Sequence, residues 1–151
     1  MSSNSSNPVI AHRQRWMGIL ARAGAALEPY RAVLREADYS LIRAPEIGMS
    51  LVRGRMGGNG AAFNLGEMSV TRCVVRLADG RTGYSYVAGR DKQHAELAAL
   101  ADAHLQGPQQ QQWLSHLIEP LAAAQRASRA ARAAETATTQ VEFFTLVRGE
   151  D

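Results

Sequence analysis

The stretch from Thr71 to Glu96, TRCVVRLADGRTGYSYVAGRDKQHAE, decides the fold of this chain. Two runs of β-favouring residues, Met68–Leu77 and Thr82–Ala88, flank Asp79-Gly80, and this dipeptide is preferred in the two-residue type I′ turn of a β-hairpin. We therefore predict two antiparallel strands joined by a tight turn. The turn would set the cross-strand pairs Leu77 with Thr82, Val75 with Tyr84, and Cys73 with Tyr86.

The predicted pairing gives the hairpin one apolar face, which would pack on the core, and one mixed face, on which the chemistry would lie. Cys73 belongs to the apolar face, so we interpret it as a small core residue, with a nucleophilic thiol as the alternative. The apolar face comprises Cys73, Val75, Tyr84 and Tyr86, and the opposite face carries Arg72, Val74, Arg76, Ser85 and Val87.

A helix is predicted directly after the second strand. Gly89 ends the strand, and Asp91 can cap a helix that continues to Leu105, before Gly107-Pro108 stops it. His104 falls on the apolar side of this helix, so we interpret it as a core histidine, with a ligand as the alternative. The predicted buried side consists of Leu97, Leu100, Ala101, His104 and Leu105.

The flanking segments complete the prediction of an α+β fold. Residues 9–27 have the apolar spacing of a helix, and Pro29 suits the first turn of a second helix, which together give an αα-hairpin. Pro120 opens a long alanine-rich helix to about Ala137. We expect an antiparallel sheet of about four or five strands with an N-terminal helical hairpin, a central helix and a long Ala-rich C-terminal helix. The remaining predicted elements are strands at Tyr39–Arg43 (ended by Pro45), Met49–Arg55 and Val141–Val147, and a short helix at Trp113–Ile118.

Length and composition limit the class of protein. With 151 residues, 46% of them hydrophobic, the chain suits a single domain at residues 9–151, preceded by a disordered Ser/Asn-rich tail at residues 1–8. A single cysteine excludes an internal disulfide and a cysteine-based metal cluster within one chain, and no metal site is predicted. No apolar run approaches about 18 residues and the N-terminus lacks signal-peptide features, so we predict a cytoplasmic protein without a membrane segment.

The positive charge is concentrated in the middle of the chain. The formal net charge is +3, yet the window from Arg53 to Lys92 holds seven basic and three acidic residues and carries +4. Every basic residue except Lys92 is arginine, whose planar guanidinium binds carboxylate and phosphate in a fixed geometry. The alternative is that the arginine content reflects a GC-rich genome.

Two motifs in this window are candidates for anion binding. RMGGNG, from Arg55 to Gly60, has consecutive glycines whose amides can turn toward an anion, although no GK[ST] follows as in a Walker A loop. GRDKQHAE, from Gly89 to Glu96, places cations at a helix start, where free N–H groups and the helix dipole attract anions. A wide turn and a solvated first helical turn are the structural alternatives. The candidate residues are Arg55, Gly57, Gly58, Arg72, Arg90, Lys92 and His94.

The sequence offers no assignable catalytic residue. The four histidines show neither HxxxH nor HExxH spacing, and neither a nucleophile–base–acid triad nor a GxGxxG motif is evident. The basic window has few interleaved aromatic residues and no recognisable nucleic-acid-binding module, so nucleic acid is not an expected partner. An independent basic module for nucleic acid or a small anion stays open as the alternative, and a free-standing enzyme is a third interpretation.

Five collinear motifs in the chain resemble the PhnG family, a subunit of the bacterial carbon–phosphorus lyase system. The likeness covers nearly the whole chain, and only the Ser/Asn-rich tail falls outside it. The motifs are RQRWM (Arg13–Met17), RMGGNG (Arg55–Gly60), TRCVVRLADG (Thr71–Gly80), GYSYVAGRDKQHAE (Gly83–Glu96) and FFTLVRG (Phe143–Gly149).

The resemblance implies a role within a complex. The family works with PhnH, PhnI and PhnL as alpha-D-ribose 1-methylphosphonate 5-triphosphate synthase, which displaces adenine from MgATP by an alkylphosphonate. The complex includes PhnJ, the radical S-adenosylmethionine subunit that cleaves the carbon–phosphorus bond, and the nucleosidase-like chemistry is attributed to PhnI. The resemblance therefore implies that this chain alone binds no cofactor and that MgATP is a substrate of the complex. It implies a scaffold that also lends cations to an anion site at a subunit interface.

Overall fold

The computed structural model describes the backbone of residues 7–55 and 62–149 and the side chains of residues 7–51 and 66–139. Over these residues the chain is α+β, as predicted, and its sheet is antiparallel. The elements are, in order, α1 (Pro8–Ala21), a 3-10 helix (Gly24–Tyr30), α2 (Arg31–Leu34), β1 (Tyr39–Arg55), β2 (Ala62–Leu77), β3 (Thr82–Ala88), α3 (Lys92–Leu105), α4 (Gln110–Trp113), a π-helical turn (Leu114–Ile118) and α5 (Glu119–Gly149).

The sheet formed by the described residues has three strands in the order β1-β2-β3, instead of the predicted four or five. One reason is that the strands predicted at Tyr39–Arg43 and Met49–Arg55 are a single strand, β1. Pro45 does not end this strand, because the pairing with β2 is irregular between Arg43 and Glu46. A proline, which has no N–H to donate, is tolerated at such an irregularity.

The prediction of a C-terminal strand was wrong. Residues Val141–Val147 lie inside α5, which continues from Glu119 to Gly149. Valine and phenylalanine favour strands locally, but the extension of an existing helix needs no new nucleus, and the preceding alanine-rich stretch is a strong helix former. Residues 126–139 of α5 are all exposed, so this part of the helix projects beyond the core.

The hairpin between β2 and β3 closes with a three-residue loop, and the predicted two-residue turn was wrong. The Gly80 amide donates to the Leu77 carbonyl oxygen at 2.9 Å, and the Leu77 amide donates to the Arg81 carbonyl oxygen at 2.8 Å. Gly80 has a φ of +96°, as the glycine of a type I turn followed by a bulge requires. The register moves by one residue and pairs Arg76 with Thr82, Val75 with Gly83, Val74 with Tyr84, Cys73 with Ser85 and Arg72 with Tyr86.

The shifted register exchanges the two faces of β3. Tyr84 and Tyr86, which were predicted on the apolar face, lie on the outer face and are 48% and 53% exposed. Ser85 and Val87 are buried in their place. The prediction for Cys73 is confirmed, because this residue is fully buried and burial raises the pKa of its thiol to about 11. The cysteine is a core residue.

Helix α3 is the centre of the core, as the sequence predicted. The helix and the sheet approach each other most closely at Gly83, where a Cβ atom would lie 1.9 Å from the Ala99 carbonyl oxygen. The five residues predicted on the buried side of α3 are all buried. The cluster around this helix includes Trp16, Ile19, Leu20, Leu27 and Leu34 from the N-terminal segments, and Leu117, Ile118 and Leu121 from the C-terminal ones.

The N-terminal helical hairpin is less regular than predicted. The first helix ends at Ala21 instead of residue 27, and Gly24, with a φ of +55°, starts the 3-10 helix. Pro29 lies inside this 3-10 helix, so the second α-helix is confined to the single turn Arg31–Leu34. Residues 1–6 of the predicted tail lie outside the described part of the chain.

Candidate functional site

The start of α3 has the geometry that the sequence predicted. Asp91 caps the helix, since its Oδ1 accepts a hydrogen bond from the His94 amide at 3.0 Å. Arg90 and Lys92 flank the cap, and both are exposed. Two cations therefore stand at the end of the helix where the dipole attracts anions. Anion binding by these two residues stays a prediction.

His94, the histidine of the same motif, points into the protein. Its side chain is 6% exposed, and Nε2 lies 2.8 Å from the Leu20 carbonyl oxygen. A carbonyl oxygen only accepts, so Nε2 carries the proton and donates it. The Gly24 amide lies 3.3 Å from the same nitrogen, but a protonated Nε2 has no lone pair with which to accept its hydrogen. The imidazole therefore joins α3 to the end of α1 and is not part of the exposed cationic group.

Arg72 lies on the outer face of β2, which is the face that α3 does not cover. Its side chain is half exposed, with Nη2 3.9 Å from Oε1 of Glu46. Arg72 pairs with Tyr86 on β3. Gly89, just after β3 and before the helix start, donates its amide at 2.8 Å to the carbonyl oxygen of Ser69, which is the position on β2 to compare with Arg72. Three residues of strand, about 10 Å, separate these two positions. Arg72 thus lies about 10 Å along the sheet from the helix start, on the face opposite to the one that α3 covers.

The glycine motif follows β1 at the other end of the long β1–β2 hairpin. Arg55 ends β1 opposite Ala62, and its side chain lies outside the described residues, as do Gly57 and Gly58. Ser69 accepts the hydrogen bond from Gly89, just before the helix start. Ala62 and Ser69 are seven residues apart on β2, and an extended strand of this length spans about 23 Å. The end of β1 and the start of α3 are therefore far apart within one chain.

Asp102 accepts a network of hydrogen bonds that was not predicted from the sequence. Its carboxylate is fully buried. Trp16 Nε1 donates to Oδ1 at 2.8 Å, and the Tyr84 amide donates to Oδ2 at 2.9 Å. Arg13 spans both oxygens, with Nε 3.1 Å from Oδ1 and Nη2 2.7 Å from Oδ2. Gln106 Nε2 adds a contact of 3.4 Å to Oδ2. One carboxylate thereby ties α1 and the edge of β3 to α3.

The partners of Asp102 make it a structural anchor between α1, β3 and α3. The hydrogen bond to this carboxylate raises the pKa of Arg13, whose guanidinium also lies 5.5 Å from the centroid of the Tyr84 ring. Two signals in the sequence pointed to this network. Arg13 and Trp16 are three residues apart and share one face of α1, and Asp102 interrupts the apolar run Leu97–Leu105.

Two further polar contacts of α3 are also structural. Glu96 Oε2 accepts hydrogen bonds from Tyr39 Oη at 2.7 Å and from Arg35 Nη2 at 3.1 Å. Burial, and then this hydrogen bond, raise the pKa of Tyr39. His104 stacks on Trp113 with ring centroids 4.8 Å apart, and burial lowers the pKa of the imidazole. The interpretation of His104 as a core histidine is confirmed.

The described residues hold neither a metal-binding cluster nor a membrane-spanning helix. Among them, no group of three His, Cys, Asp or Glu side chains is placed to hold a metal ion. None of the helices in residues 7–55 and 62–149 is both long and apolar enough to cross a membrane. Asp102, His94 and His104 are buried and make hydrogen bonds within the fold, whereas Arg90 and Lys92 are exposed cations on either side of the exposed Asp91.

Comparison with known proteins identifies the family. Residues 11–149 match the family model of phosphonate metabolism protein PhnG. A curated relative from Rhizobium meliloti (strain 1021), the alpha-D-ribose 1-methylphosphonate 5-triphosphate synthase subunit PhnG, is 40% identical over 152 residues, which cover 99% of this chain and 97% of the relative. The match includes the start of α3 and the residues around Asp102. The chain therefore belongs to the PhnG family of phosphonate metabolism proteins.

Proposed function

We propose that this chain is the PhnG subunit of a complex that transfers ribose 5-triphosphate from MgATP to an alkylphosphonate and releases adenine. The observation that carries the proposal is the near-full-length match to a relative named as a subunit of that synthase. The partners are PhnH, PhnI and PhnL, together with PhnJ for the later cleavage of the carbon–phosphorus bond. MgATP is bound by the complex, and this chain contributes no cofactor of its own.

The first part of the proposed role is to hold other subunits together. The exposed stretch of α5, residues 126–139, is rich in alanine and has little apolar area with which to pack on its own chain. Most helical stability in proteins comes from tertiary packing, so a helix of this kind gains stability when a partner covers it. We expect α5 to be part of a subunit interface.

The free edge of β3 supplies a second proposed contact. Along this edge the Tyr84 amide is taken by Asp102 at 2.9 Å, and the Thr82 carbonyl oxygen accepts from Gln106 Nε2 at 2.8 Å. The amide of Tyr86 points the same way as that of Tyr84, and no acceptor for it lies within the described residues. An unpaired edge accepts an extended segment of another protein. The edge borders a groove lined by Met17, Gly18, Leu20, Ala21, Tyr84, Ser85, Tyr86, Val87 and Ala98.

The second part of the role is to lend cations to a site at a subunit interface. Phosphonate and triphosphate groups are anionic, and their reactions require positive groups that neutralise charge. Arg90 and Lys92 are exposed at a helix start, and Arg72 is exposed on the outer face of the sheet about 10 Å along β2. His94 contributes by fixing the position of α3. Arg55, at the far end of the β1–β2 hairpin, would serve a different part of the interface.

Co-expression tests the structural role. The chain is expressed alone and together with PhnH, PhnI, PhnJ and PhnL from one operon, and the products are compared by size-exclusion chromatography and mass photometry. The expected result is a complex of defined mass that contains this chain and does not form when the chain is omitted. A complex that assembles equally well without the chain would contradict the proposal.

Growth on methylphosphonate as the only phosphorus source tests the cationic role. Replacing both Arg90 and Lys92 by alanine removes the two cations at the helix start and should impair growth while the complex still assembles. The matched control exchanges the same residues for the other cation, Arg90→Lys with Lys92→Arg, and should preserve most of the growth. Normal growth of the alanine variant would remove these residues from the proposed site.

A further inference from the structure

Four arginines line one depression between α1 and α5, at a place different from the start of α3. Arg15 lies in α1, and Arg22 caps the C-terminal end of this helix. Arg126 and Arg129 lie three residues apart on α5. Arginine side chains from two helices thus line the same depression. The rest of the depression is lined by Gln14, Gly18, Ile19, Ala122 and Gln125.

Direct contacts hold the two walls of this depression in place. Gln125 Nε2 donates to the Ile19 carbonyl oxygen at 2.9 Å, which fixes α5 against the last turns of α1. Arg15 pairs with Glu119 through both guanidinium nitrogens, with Nη1 3.1 Å from Oε2 and Nη2 3.4 Å from Oε1. The first part of α5, as far as Gln125, is therefore fixed against α1, and the two arginines follow directly on the same helix.

Arg22 is held over the floor of the depression. Its Nη1 lies only 3.3 Å from the place where a Cβ atom of Gly18 would be, so the guanidinium packs over a residue that has no side chain. The glycine leaves room for the charged group to fold back over the helix. Arg22 therefore faces the same space as the arginines of α5.

The charges of this cluster are largely uncompensated. Of its four arginines, only Arg15 has a carboxylate at ion-pair distance within the described part of the chain. Arg22, Arg126 and Arg129 have none there. A concave surface that carries charges of one sign concentrates counter-ions, and their binding relieves the repulsion among the like charges. The cluster needs an anion with several negative charges.

We propose that this depression binds a short oligophosphate chain, such as that of a nucleoside triphosphate or of free tripolyphosphate. Guanidinium groups bind phosphate oxygens through paired, charge-assisted hydrogen bonds. The depression has a volume of about 260 Å³. Ligand pockets for drug-sized molecules start at about 300 Å³, so a phosphate chain fits whereas a complete nucleotide would extend out of it. This site does not depend on the proposed function, because it is formed by one chain alone.

Isothermal titration of the full-length chain with inorganic tripolyphosphate tests the site. Arg22→Gln and Arg129→Gln should each weaken binding at least tenfold. The matched control is Arg76→Gln, which also removes one exposed charge that has no carboxylate at ion-pair distance among the described residues, but from the outer face of β2. Its affinity should stay within about twofold of the parent chain, because the long-range effect of one charge is screened by salt.

Three outcomes would overturn the proposal. The first is the absence of binding by the parent chain. The second is an equal loss of affinity in the Arg22, Arg129 and Arg76 variants, which would mean that only the net charge of the protein attracts the anion. The third is tighter binding of a hexaglutamate peptide than of tripolyphosphate, which would assign the cluster to an acidic segment of a protein. Circular dichroism of each variant checks that the fold is intact.

Discussion

The indole Nε1 of Trp16 donates a hydrogen bond of 2.8 Å to Oδ1 of Asp102, and the two residues are 86 positions apart in the chain. This bond and the neighbouring ion pair from Arg13 attach the first helix to the central one. Because the carboxylate is fully buried, its donors would find no water molecule to accept their hydrogen bonds if the carboxylate were removed. Asp102 thus binds two side chains of α1, in addition to the contacts that His94 and Gln125 make with the end of the same helix.

Asp102→Ala should lower the free energy of unfolding by about 3 kcal/mol, because it leaves the buried indole N–H and the Tyr84 amide without an acceptor and Arg13 without its partner. Asp102→Asn keeps an acceptor for Trp16 and should cost less. Urea denaturation followed by tryptophan fluorescence measures both values. Asp38→Ala, at an exposed acid, is the control and should change stability by less than about 0.5 kcal/mol. A loss below 1 kcal/mol in Asp102→Ala would contradict the role of this residue.

Gly83→Ala should destabilise the protein far more than Gly80→Ala. A Cβ at Gly83 would lie 1.9 Å from the Ala99 carbonyl oxygen and 2.7 Å from the Ala103 amide nitrogen, so α3 would have to move off the sheet. At Gly80 nothing lies within 4 Å of a Cβ, and the cost is only that of the positive φ, about 1–2 kcal/mol. Thermal unfolding of the two variants compares them directly. Similar melting temperatures would show that the helix does not pack on β3 as described.

Gly83 shows why the register of the hairpin could not be predicted from the hairpin sequence. Asp79-Gly80 fits a two-residue turn and also a three-residue loop that ends in a bulge. The choice between them decides whether Tyr84 or Gly83 faces the helix. Only a residue without a side chain fits beneath Ala99, and this requirement comes from a helix that follows in the sequence. The turn residues carry no information about it.

Two features of α3 that depend on nearby residues were predicted correctly, whereas the equally local hairpin turn was not. Asp91 caps α3, because the N-cap bond runs to an amide only three residues away, and the buried side of α3 follows from apolar spacing. Contacts between distant segments were not predictable. His94 bonds to the Leu20 carbonyl oxygen across 74 positions, and nothing in its own motif indicates that it points inward. The cationic helix start was therefore predicted, but the role of its histidine was not.

The buried His104 should make the stability of the protein depend on pH near neutrality. Burial lowers the pKa of this imidazole below its ordinary value of 6.5, and the nearby Arg81 acts in the same direction. As the pH falls below about 6.5, the unfolded chain takes up a proton that the folded chain resists, so the free energy of unfolding decreases. The contribution of His104 is complete above that pH and is lost as the pH falls toward the lowered pKa.

Urea denaturation at pH 7.5 and at pH 5.5 measures this effect. His104→Gln cannot titrate, so its stability should fall less between the two pH values than that of the parent chain. His116, which is exposed, provides the matched control, and His116→Gln should retain the full pH dependence. An equal pH dependence in the parent and in His104→Gln would assign the effect to other groups.

Hydrogen exchange can show whether the free edge of β3 is covered in the proposed complex. In the isolated chain, the outward amide of Tyr86 has no acceptor within the described residues and should exchange quickly, whereas the Tyr84 amide, which is bonded to Asp102, should be protected. Assembly with the other subunits should protect the Tyr86 amide and leave the Tyr84 amide unchanged, because a strand added at this edge supplies the missing acceptor.

Proline substitution tests the same contact by removing the donor. Tyr86→Pro deletes an N–H that points away from β2 and should reduce incorporation of the chain into the complex, whereas Tyr86→Ala keeps the N–H and should assemble more efficiently. Co-purification with the other subunits measures the difference between the two variants. If Tyr86 exchanges as fast in the complex as in the free chain, and both variants assemble normally, the subunits meet elsewhere, and the exposed length of α5 is then the surface to examine.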